Sequence, residues 1–417
     1  MAKRARIDRI AHLSVHGYFD PEPILGRTDT GGQVTYVLEL AKHLGRLGID
    51  VDIYTRQFEG RERIAPVSER VRVVRLPCGP DEFIRKEDIF PYWDEYVGNM
   101  LAFMQEEKLR YPVFHGHYWD AGYVSMKVTE QLGQPFFYTA HSLGAWKQEQ
   151  MGGDPDEMER LWKFSERIHW ENIIFRKAIA HTVTTEDGKA NYQRLYGFDT
   201  KDVEVIPPGV DIERFRPLRD GENEINLTTP ERYVFALSRI DSNKGHVELL
   251  RAFAHVRKEC PGVHLVIGGG SKNPKPHELN VIRSFREVID ELELADSVIF
   301  TGYISDEDLP AYYRKAELFV LPSKYEPFGM TTTEAMSCGT PPVVTQFGGI
   351  RRSLSDGQDA LLVDVGDEDA FAGAMIRVLN DPGVRARLSR NALATARGKF
   401  SWDAIARTTL DFYRRYV

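Results

Sequence analysis

The feature that most restricts the fold of this chain is an alternation of short β-rich runs with amphipathic helical patterns along the whole sequence. Such alternation is typical of βαβ units, in which neighbouring strands are parallel and a helix crosses between them. The first helix is the clearest, because apolar residues from Val34 to Leu47 recur at i, i+3, i+4 and i+7 and Gly48 can cap its end. The sequence therefore predicts an α/β protein with doubly wound sheets.

Two series of strands divide the chain into two predicted domains. A length of 417 residues exceeds what one hydrophobic core normally serves. The polar stretch 216–231 is rich in proline and glycine, as linkers are, so we predict Rossmann-like domains over residues 1–212 and 213–400. The predicted strands are Ile7–Val15, Val51–Thr55, Val71–Leu76, Val113–His115, Phe136–Thr139, His181–Thr184 and Val203–Ile206 in the first domain, and Tyr233–Leu237, His264–Ile267, Val298–Phe300, Leu318–Leu321, Val343–Thr345 and Ala360–Val363 in the second.

The composition excludes several classes of protein. A net charge of −8 argues against nucleic acid as a partner, because a phosphate backbone requires a basic footprint. No apolar run is long enough to span a membrane, so we expect a cytoplasmic protein without a membrane partner. The three cysteines are far apart and odd in number, which predicts no disulfide framework. The histidines lack zinc-ligand spacing and Asp50-x-Asp52 stands where a strand enters the sheet, so we expect no metal and no cofactor.

The most informative segment lies in the second domain, between Leu318 and Thr345. A strand is followed by Glu326-Pro327-Phe328-Gly329 and then by a helix from about Met330 to Ser337, which Gly339 can terminate. The free N–H groups of Met330 and Thr331 at the helix start favour an anion. We predict that Glu326 accepts hydrogen bonds from sugar hydroxyls and that Glu334, one turn into the helix, reaches a ribose diol.

This segment resembles the Glu-x7-Glu signature of retaining glycosyltransferases of the GT-B fold, family four, and the resemblance covers nearly the whole chain. It implies two Rossmann-like domains facing a central cleft, with the last helix (401–417) packing back on the N-terminal domain. Ser238-Arg239-Ile240-Asp241-Ser242-Asn243-Lys244 looks like the family's donor motif, in which Arg239 and Lys244 clamp the nucleotide diphosphate. The remaining donor contacts that the resemblance implies are Gly268, Gly269, Tyr303, Phe328 and Gly329.

The N-terminal domain carries local similarities to the sucrose-phosphate synthase and mannosylfructose-phosphate synthase group. They include His16-Gly17-Tyr18-Phe19-Asp20, the loop Gly31-Gly32-Gln33 before the first helix, and the segment that begins at His117. By this resemblance His141 contacts the donor hexose. The acceptor contacts that the resemblance implies are Gly31, Gly32, Gln33, Lys86, Tyr118, Asp120, Ser142, Lys147 and Arg167.

The expected function is therefore transfer of glucose from UDP-glucose, or of mannose from GDP-mannose, to a phosphorylated acceptor such as fructose 6-phosphate. Trp119 and Asn243-Lys244-Gly245 look closer to the mannosylfructose-phosphate type. The chain ends soon after the second domain, so we expect a separate phosphatase to act on the product. Two alternatives remain open at this point: a transferase of the same fold with another sugar-phosphate, lipid or polysaccharide acceptor, and a non-catalytic sugar-phosphate binding protein.

Overall fold

The structure is a computed structural model, which describes residues 6–22, 31–151, 153–272, 276–324, 326 and 328–417. Within the Glu326 loop, Tyr325 and Pro327 lie outside the described residues. The chain forms two compact units, one made of residues 1–209 and 402–417 and the other of residues 210–401. Both are α/β units with parallel sheets, as the sequence predicts.

The first unit contains an eight-stranded sheet with the order β3-β4-β2-β1-β5-β6-β7-β8. All neighbouring strands are parallel except the edge strand β3, which is antiparallel to β4. The strands are β1 Arg9–Leu13, β2 Asp50–Gln57, β3 Ile64–Ser68, β4 Val71–Pro77, β5 Val113–His117, β6 Phe137–Thr139, β7 Ala180–Val183 and β8 Val203–Val205. The helices are α1 Gly32–Arg46, α2 Trp93–Glu106, α3 Trp119–Leu132, α4 Gly144–Met151, α5 Pro155–Trp162, α6 Phe164–Lys177 and α7 Glu186–Tyr196.

The second unit contains a six-stranded parallel sheet with the order β11-β10-β9-β12-β13-β14. This is the strand order of a Rossmann fold, in which the chain starts in the middle and winds outward in both directions. The strands are β9 Tyr233–Leu237, β10 His264–Gly268, β11 Val298–Gly302, β12 Leu318–Leu321, β13 Pro342–Thr345 and β14 Leu361–Val363. The helices are α8 His246–Glu259, α9 Pro276–Glu291, α10 Leu309–Lys315, α11 Met330–Ser337, α12 Glu368–Asn380 and α13 Pro382–Thr395.

The last helix, α14 (Trp402–Tyr413), belongs to the first unit. Its apolar face, including Trp402 and Leu410, shares one hydrophobic core with the inner face of α1. Trp402 also packs against Gly209, where an added Cβ atom would stand 2.4 Å from the indole ring. The chain thus returns to the first unit after completing the second, as the resemblance implies. Among the described residues, no helix is both long and apolar enough to cross a membrane.

The Asp-x-Asp pair at the start of β2 has a structural role. Asp52 is buried and accepts hydrogen bonds from Arg9 (3.0 Å), Arg72 (2.6 Å) and Tyr111 (2.5 Å). Asp50 pairs with Arg9 at 3.0 Å. These carboxylates are charge-compensated by arginines, so their arrangement is that of an ion-pair network at the amino edge of the sheet.

Candidate active site

In open α/β sheets ligands bind beyond the carboxyl ends of the strands, where the strand order reverses. In the first unit this point lies between β1 and β5, and in the second it lies between β9 and β12. Most of the predicted site residues follow these strands or their neighbours. Each unit therefore has its own set of candidate residues at the carboxyl edge of its sheet.

In the second unit, Lys244 and Glu326 form an ion pair with 2.7 Å between Nζ and Oε2. Their side chains are only 10% and 17% exposed, respectively. Ser323 donates a weaker hydrogen bond to the same carboxylate oxygen, at 3.3 Å. The backbone of Glu326 is held as well, because its carbonyl accepts from Gly349 N at 2.8 Å. The structure therefore brings together a cation and a carboxylate that lie 82 residues apart.

Arg239, which follows β9, is exposed, and its guanidinium makes no hydrogen bond or ion pair with any described residue. The neighbouring loops approach one another so closely that glycine is required. Gly269 has φ +124° and an added Cβ atom would stand 1.8 Å from the carbonyl oxygen of Ser238, while at Gly245 (φ +66°) it would stand 1.9 Å from that of Pro322. The end of β9, with its exposed cation, is thus fixed by backbone contacts on both sides.

Helix α11 begins at Met330 with Gly329 as its N-cap residue, as the sequence predicts. The amide groups of Met330 and Thr331 belong to the first turn, where backbone N–H groups have no intrahelical acceptor. Phe328, one of the predicted donor contacts, has its side chain buried in the core of the unit, so only its backbone can face a ligand. Tyr303, beyond β11, is 52% exposed.

Glu334 lies one turn into α11 and accepts a hydrogen bond from the hydroxyl of Tyr313 at 2.7 Å. Burial raises the pKa of Glu334 from 4.5 to about 7, although the Tyr313 hydrogen bond opposes this shift. A carboxylate accepts hydrogen bonds from two ribose hydroxyls most strongly when it is ionised. The charge state of Glu334 in the free protein therefore changes close to neutral pH.

From this pKa we expect donor affinity to fall as the pH falls through 7, because protonated Glu334 accepts fewer and weaker hydrogen bonds. For a single linked proton, the Kd of the nucleotide-sugar should rise about tenfold between pH 8 and pH 6. Calorimetric titration across this range measures the effect. Glu334→Gln should bind more weakly at pH 8 and lack the dependence. A wild-type Kd that is flat from pH 6 to pH 8 would contradict the role of Glu334.

In the first unit, Gly31 is the N-cap residue of α1, and Gly32 and Gln33 are the first two residues of the helix, so the helix begins earlier than the sequence predicts. An added Cβ atom at Gly31 or Gly32 would meet no atom of a described residue within 4 Å. Gln33 is fixed by its amide group, which donates to the hydroxyl of Ser14 at 3.0 Å and to the carbonyl of His117 at 3.3 Å. These bonds tie the start of α1 to the ends of β1 and β5.

His16 and Asp120 form a buried pair that the sequence motifs did not indicate. Asp120 is 0% exposed and accepts from the backbone N of His16 at 3.1 Å and from its ring Nδ1 at 2.7 Å. Asp120, a predicted acceptor contact, thus holds both the backbone and the ring of His16. The ring of His16 packs edge-on against the ring of Tyr118. The guanidinium of Arg167 lies 4.6 Å from the centroid of the Tyr118 ring.

Each of the three predicted acceptor cations has partners within the first unit. Arg167 is buried and donates to Glu171 at 2.8 Å through Nε, and to Ser142 through Nη2, with 2.9 Å to the hydroxyl. Its Nη1 makes no hydrogen bond to a described residue. Lys86 Nζ lies 3.7 Å from Glu87, and Lys147 Nζ lies 4.0 Å from the centroid of the Trp162 indole ring. Because Glu171 compensates the charge of Arg167, the burial of this arginine does not by itself require a phosphate.

His141 follows β6 in a three-residue turn, in which Ser142 N donates to Ala140 O at 2.6 Å. It has the left-handed backbone angle φ +55°, which is strained for a residue other than glycine. Its Nε2 lies 2.9 Å from Nδ1 of His117. Burial lowers the pKa of His141 to about 3, so its imidazole is neutral.

Three buried histidines, His12, His115 and His117, offer ring nitrogens within 4.8 Å of one another. Sequence spacing did not reveal this group, because β1 and β5 are far apart in sequence and adjacent in the sheet. Ring nitrogens this close together could bind one cation. Five of its six ring nitrogens make hydrogen bonds in the structure: His12 with His117 at 2.7 Å, His115 with Tyr413 at 2.5 Å and with Thr139 at 2.7 Å, and His117 also with His141 at 2.9 Å.

Comparison with known proteins gives consistent matches over both units. Residues 220–395 match the model of Glycosyl transferases group 1, residues 30–214 that of Glycosyltransferase Family 4, and residues 1–49 that of the first GT-B domain of sucrose synthase. The chain is 41% identical to the mannosylfructose-phosphate synthase of Agrobacterium fabrum over 97% of this chain and 91% of that protein. It is 32% identical to the D-inositol 3-phosphate glycosyltransferase of Acidothermus cellulolyticus, over 97% and 90% of the two chains.

Among solved structures, the sucrose-phosphate synthase of Thermosynechococcus elongatus superimposes with a TM-score of 0.76. The two chains are 31% identical, and the superposition covers 98% of each. The agreement extends over both units of the present chain.

Proposed function

This chain belongs to the group 1, family 4 glycosyltransferases of the GT-B fold, and from this premise we propose that it transfers glucose or mannose from UDP-glucose or GDP-mannose to fructose 6-phosphate with retention of anomeric configuration. The enzyme is thus a hexosyltransferase of the sucrose- and mannosylfructose-phosphate type. The nucleoside diphosphate of the donor is assigned to the second unit and the acceptor to the first.

The observation that carries this proposal is the Lys244–Glu326 pair beside exposed Arg239 and the start of α11. Arg239, Lys244 and the free N–H groups of the helix supply positive charge for a diphosphate leaving group. Glu326 supplies an acceptor for hydroxyls of the hexose. The described residues thus provide what departure of a nucleoside diphosphate requires, namely charge stabilisation at the leaving group and positioning of the sugar.

A phosphorylated acceptor is supported by two observations. The names of the mannosylfructose-phosphate synthase, the sucrose-phosphate synthase and the D-inositol 3-phosphate glycosyltransferase all contain a phosphorylated sugar or polyol. In the first unit, Nη1 of Arg167 makes no hydrogen bond to a described residue. Lys86 and Lys147 lie in the predicted acceptor segments. Cations of this kind suit a phosphate dianion.

The experiment that tests the proposal is a screen of UDP-glucose and GDP-mannose against fructose 6-phosphate, fructose, D-inositol 3-phosphate and glucose 6-phosphate. We expect one donor with fructose 6-phosphate to give a disaccharide phosphate, and NMR of the product to show the anomeric configuration of the donor. Transfer to another acceptor, or product of inverted configuration, would contradict the corresponding part of the proposal. Binding of both ligands without transfer would favour the non-catalytic alternative.

We further propose that transfer needs no divalent metal, because Arg239, Lys244 and the start of α11 take its place at the diphosphate. Activity should remain within about twofold of the untreated enzyme after incubation with excess EDTA and removal of the chelator. Initial rates before and after this treatment measure the effect. Loss of activity that only magnesium or manganese restores would show that the protein cations do not suffice.

A further inference from the structure

A chain of three imidazole rings leads from the sheet of the first unit to His141, beyond the carboxyl end of β6. His12 Nδ1 lies 2.7 Å from His117 Nε2, and His117 Nδ1 lies 2.9 Å from His141 Nε2. His12 and His117 are fully buried. Each neutral imidazole carries one N–H, so each ring in such a chain donates through one nitrogen and accepts through the other. The chain can therefore run in either of two directions.

The environment of His12, at the end of the imidazole chain opposite His141, decides between the two directions. His12 Nε2 is buried and has no hydrogen-bond partner among the described residues. If the proton were on this nitrogen, an N–H group would be buried without an acceptor, and such groups are rare in proteins. His181, on β7, shows the same preference: its Nε2 faces the carbonyl of Phe175 at 3.1 Å and so carries the proton, which leaves the unpartnered buried Nδ1 bare.

It follows that His12 carries its proton on Nδ1 and donates to His117. His117 is then protonated on Nδ1 and donates to Nε2 of His141, so the proton of His141 must be on Nδ1. Burial supports neutral rings, since it lowers the pKa of His12 to about 3 and the pKa of His117 well below its ordinary value. His141 Nδ1 makes no hydrogen bond to a described residue and is available to a ligand.

We propose that His12 and His117 are positioning residues, which fix His141 in the Nδ1–H tautomer so that it donates a hydrogen bond to a hydroxyl of the transferred hexose. The ligand in this proposal rests on the proposed function, whereas the order of protons in the chain does not. The strained turn at His141 agrees with this role, because a ring held by its backbone and by one nitrogen presents the other nitrogen in a fixed direction.

The direct test is to determine by NMR which nitrogen of each ring carries the proton. Long-range ¹H–¹⁵N NMR of the ¹⁵N-histidine-labelled protein, assigned with single His→Asn variants, distinguishes protonation at Nδ1 from protonation at Nε2. We expect Nδ1–H for His12, His117 and His141 and Nε2–H for His181, which serves as the internal control. Protonation of His141 at Nε2 would overturn the proposal, and so would one equivalent of metal in elemental analysis. The spectrum needs no turnover, so it decides this inference even if hexosyl transfer is not found.

The functional test is a double-mutant cycle. His117→Leu should lower kcat/KM for the donor about tenfold, the effect of losing one hydrogen bond, and His117→Asn should restore most of it because its amide can donate to His141. In the His141→Ala background, His117→Leu should have no further effect. His181→Leu removes a buried histidine without a hydrogen bond to His141, so it should have the same effect in both backgrounds. An equal loss from His117→Leu in both backgrounds would show a merely structural role.

Discussion

Glu326→Gln should lower kcat by about 10²–10³-fold at saturating donor, which corresponds to about 2.7–4 kcal/mol of transition-state stabilisation. The amide keeps the volume of the side chain but loses the negative charge that Lys244 and the sugar hydroxyls share. Glutamine is preferable to alanine here, because alanine leaves the largely buried Lys244 without a partner. Initial rates at saturating donor, with the melting temperature as a check on folding, measure the effect.

The chain offers a matched control for this variant. Glu248 and Lys324 form a second Glu–Lys pair in the same unit, 2.6 Å apart, but Lys324 is 53% exposed. A pair with one exposed partner contributes little to stability, so Glu248→Gln should change neither the rate nor the melting temperature appreciably. If Glu326→Gln kept more than half of the wild-type rate, Glu326 would not serve the donor sugar.

Much of the fold could be predicted because its signals are local. Helix α11 runs from Met330 to Ser337 as predicted, since glycine precedes it and Gly339 adopts φ +84° after it. Strand β3 was missed, because Ile64–Ser68 is a short edge strand with mostly exposed or half-buried residues and therefore lacks the apolar run of an inner strand. The apolar sequence pattern is therefore clear for buried segments and weak for a strand at the edge of a sheet.

The candidate site could be predicted less completely, because its contacts join distant segments. His16 and Asp120 are 104 residues apart and meet only because β1 and β5 are neighbours in the sheet. Strand order is not visible in one sequence. By contrast, the pairing of Arg167 with Glu171 could have been predicted from the sequence, since residues at i and i+4 of a helix lie on the same face. That spacing alone indicates an arginine whose charge is compensated by its own helix.

Because Glu171 compensates the charge of Arg167, substitution of Lys147 is the clearest test of a phosphorylated acceptor. If its ammonium group binds the phosphate, Lys147→Ala loses one charge-assisted hydrogen bond, and the acceptor KM should rise about 10–150-fold. The donor KM should barely change, since Lys147 is not among the predicted donor contacts. Steady-state kinetics with each substrate varied in turn separate these two effects.

Comparison of two acceptors makes the test specific for the phosphate group. The wild-type enzyme should prefer fructose 6-phosphate to free fructose strongly, and Lys147→Ala should reduce this preference because it weakens binding only of the phosphorylated sugar. Lys177→Ala, which removes an exposed cation from α6 in the same unit, is the matched control and should leave both KM values unchanged. Equal use of the two acceptors by the wild-type enzyme would refute a phosphate site, and the assignment of donor residues around Glu326 would stand independently of that result.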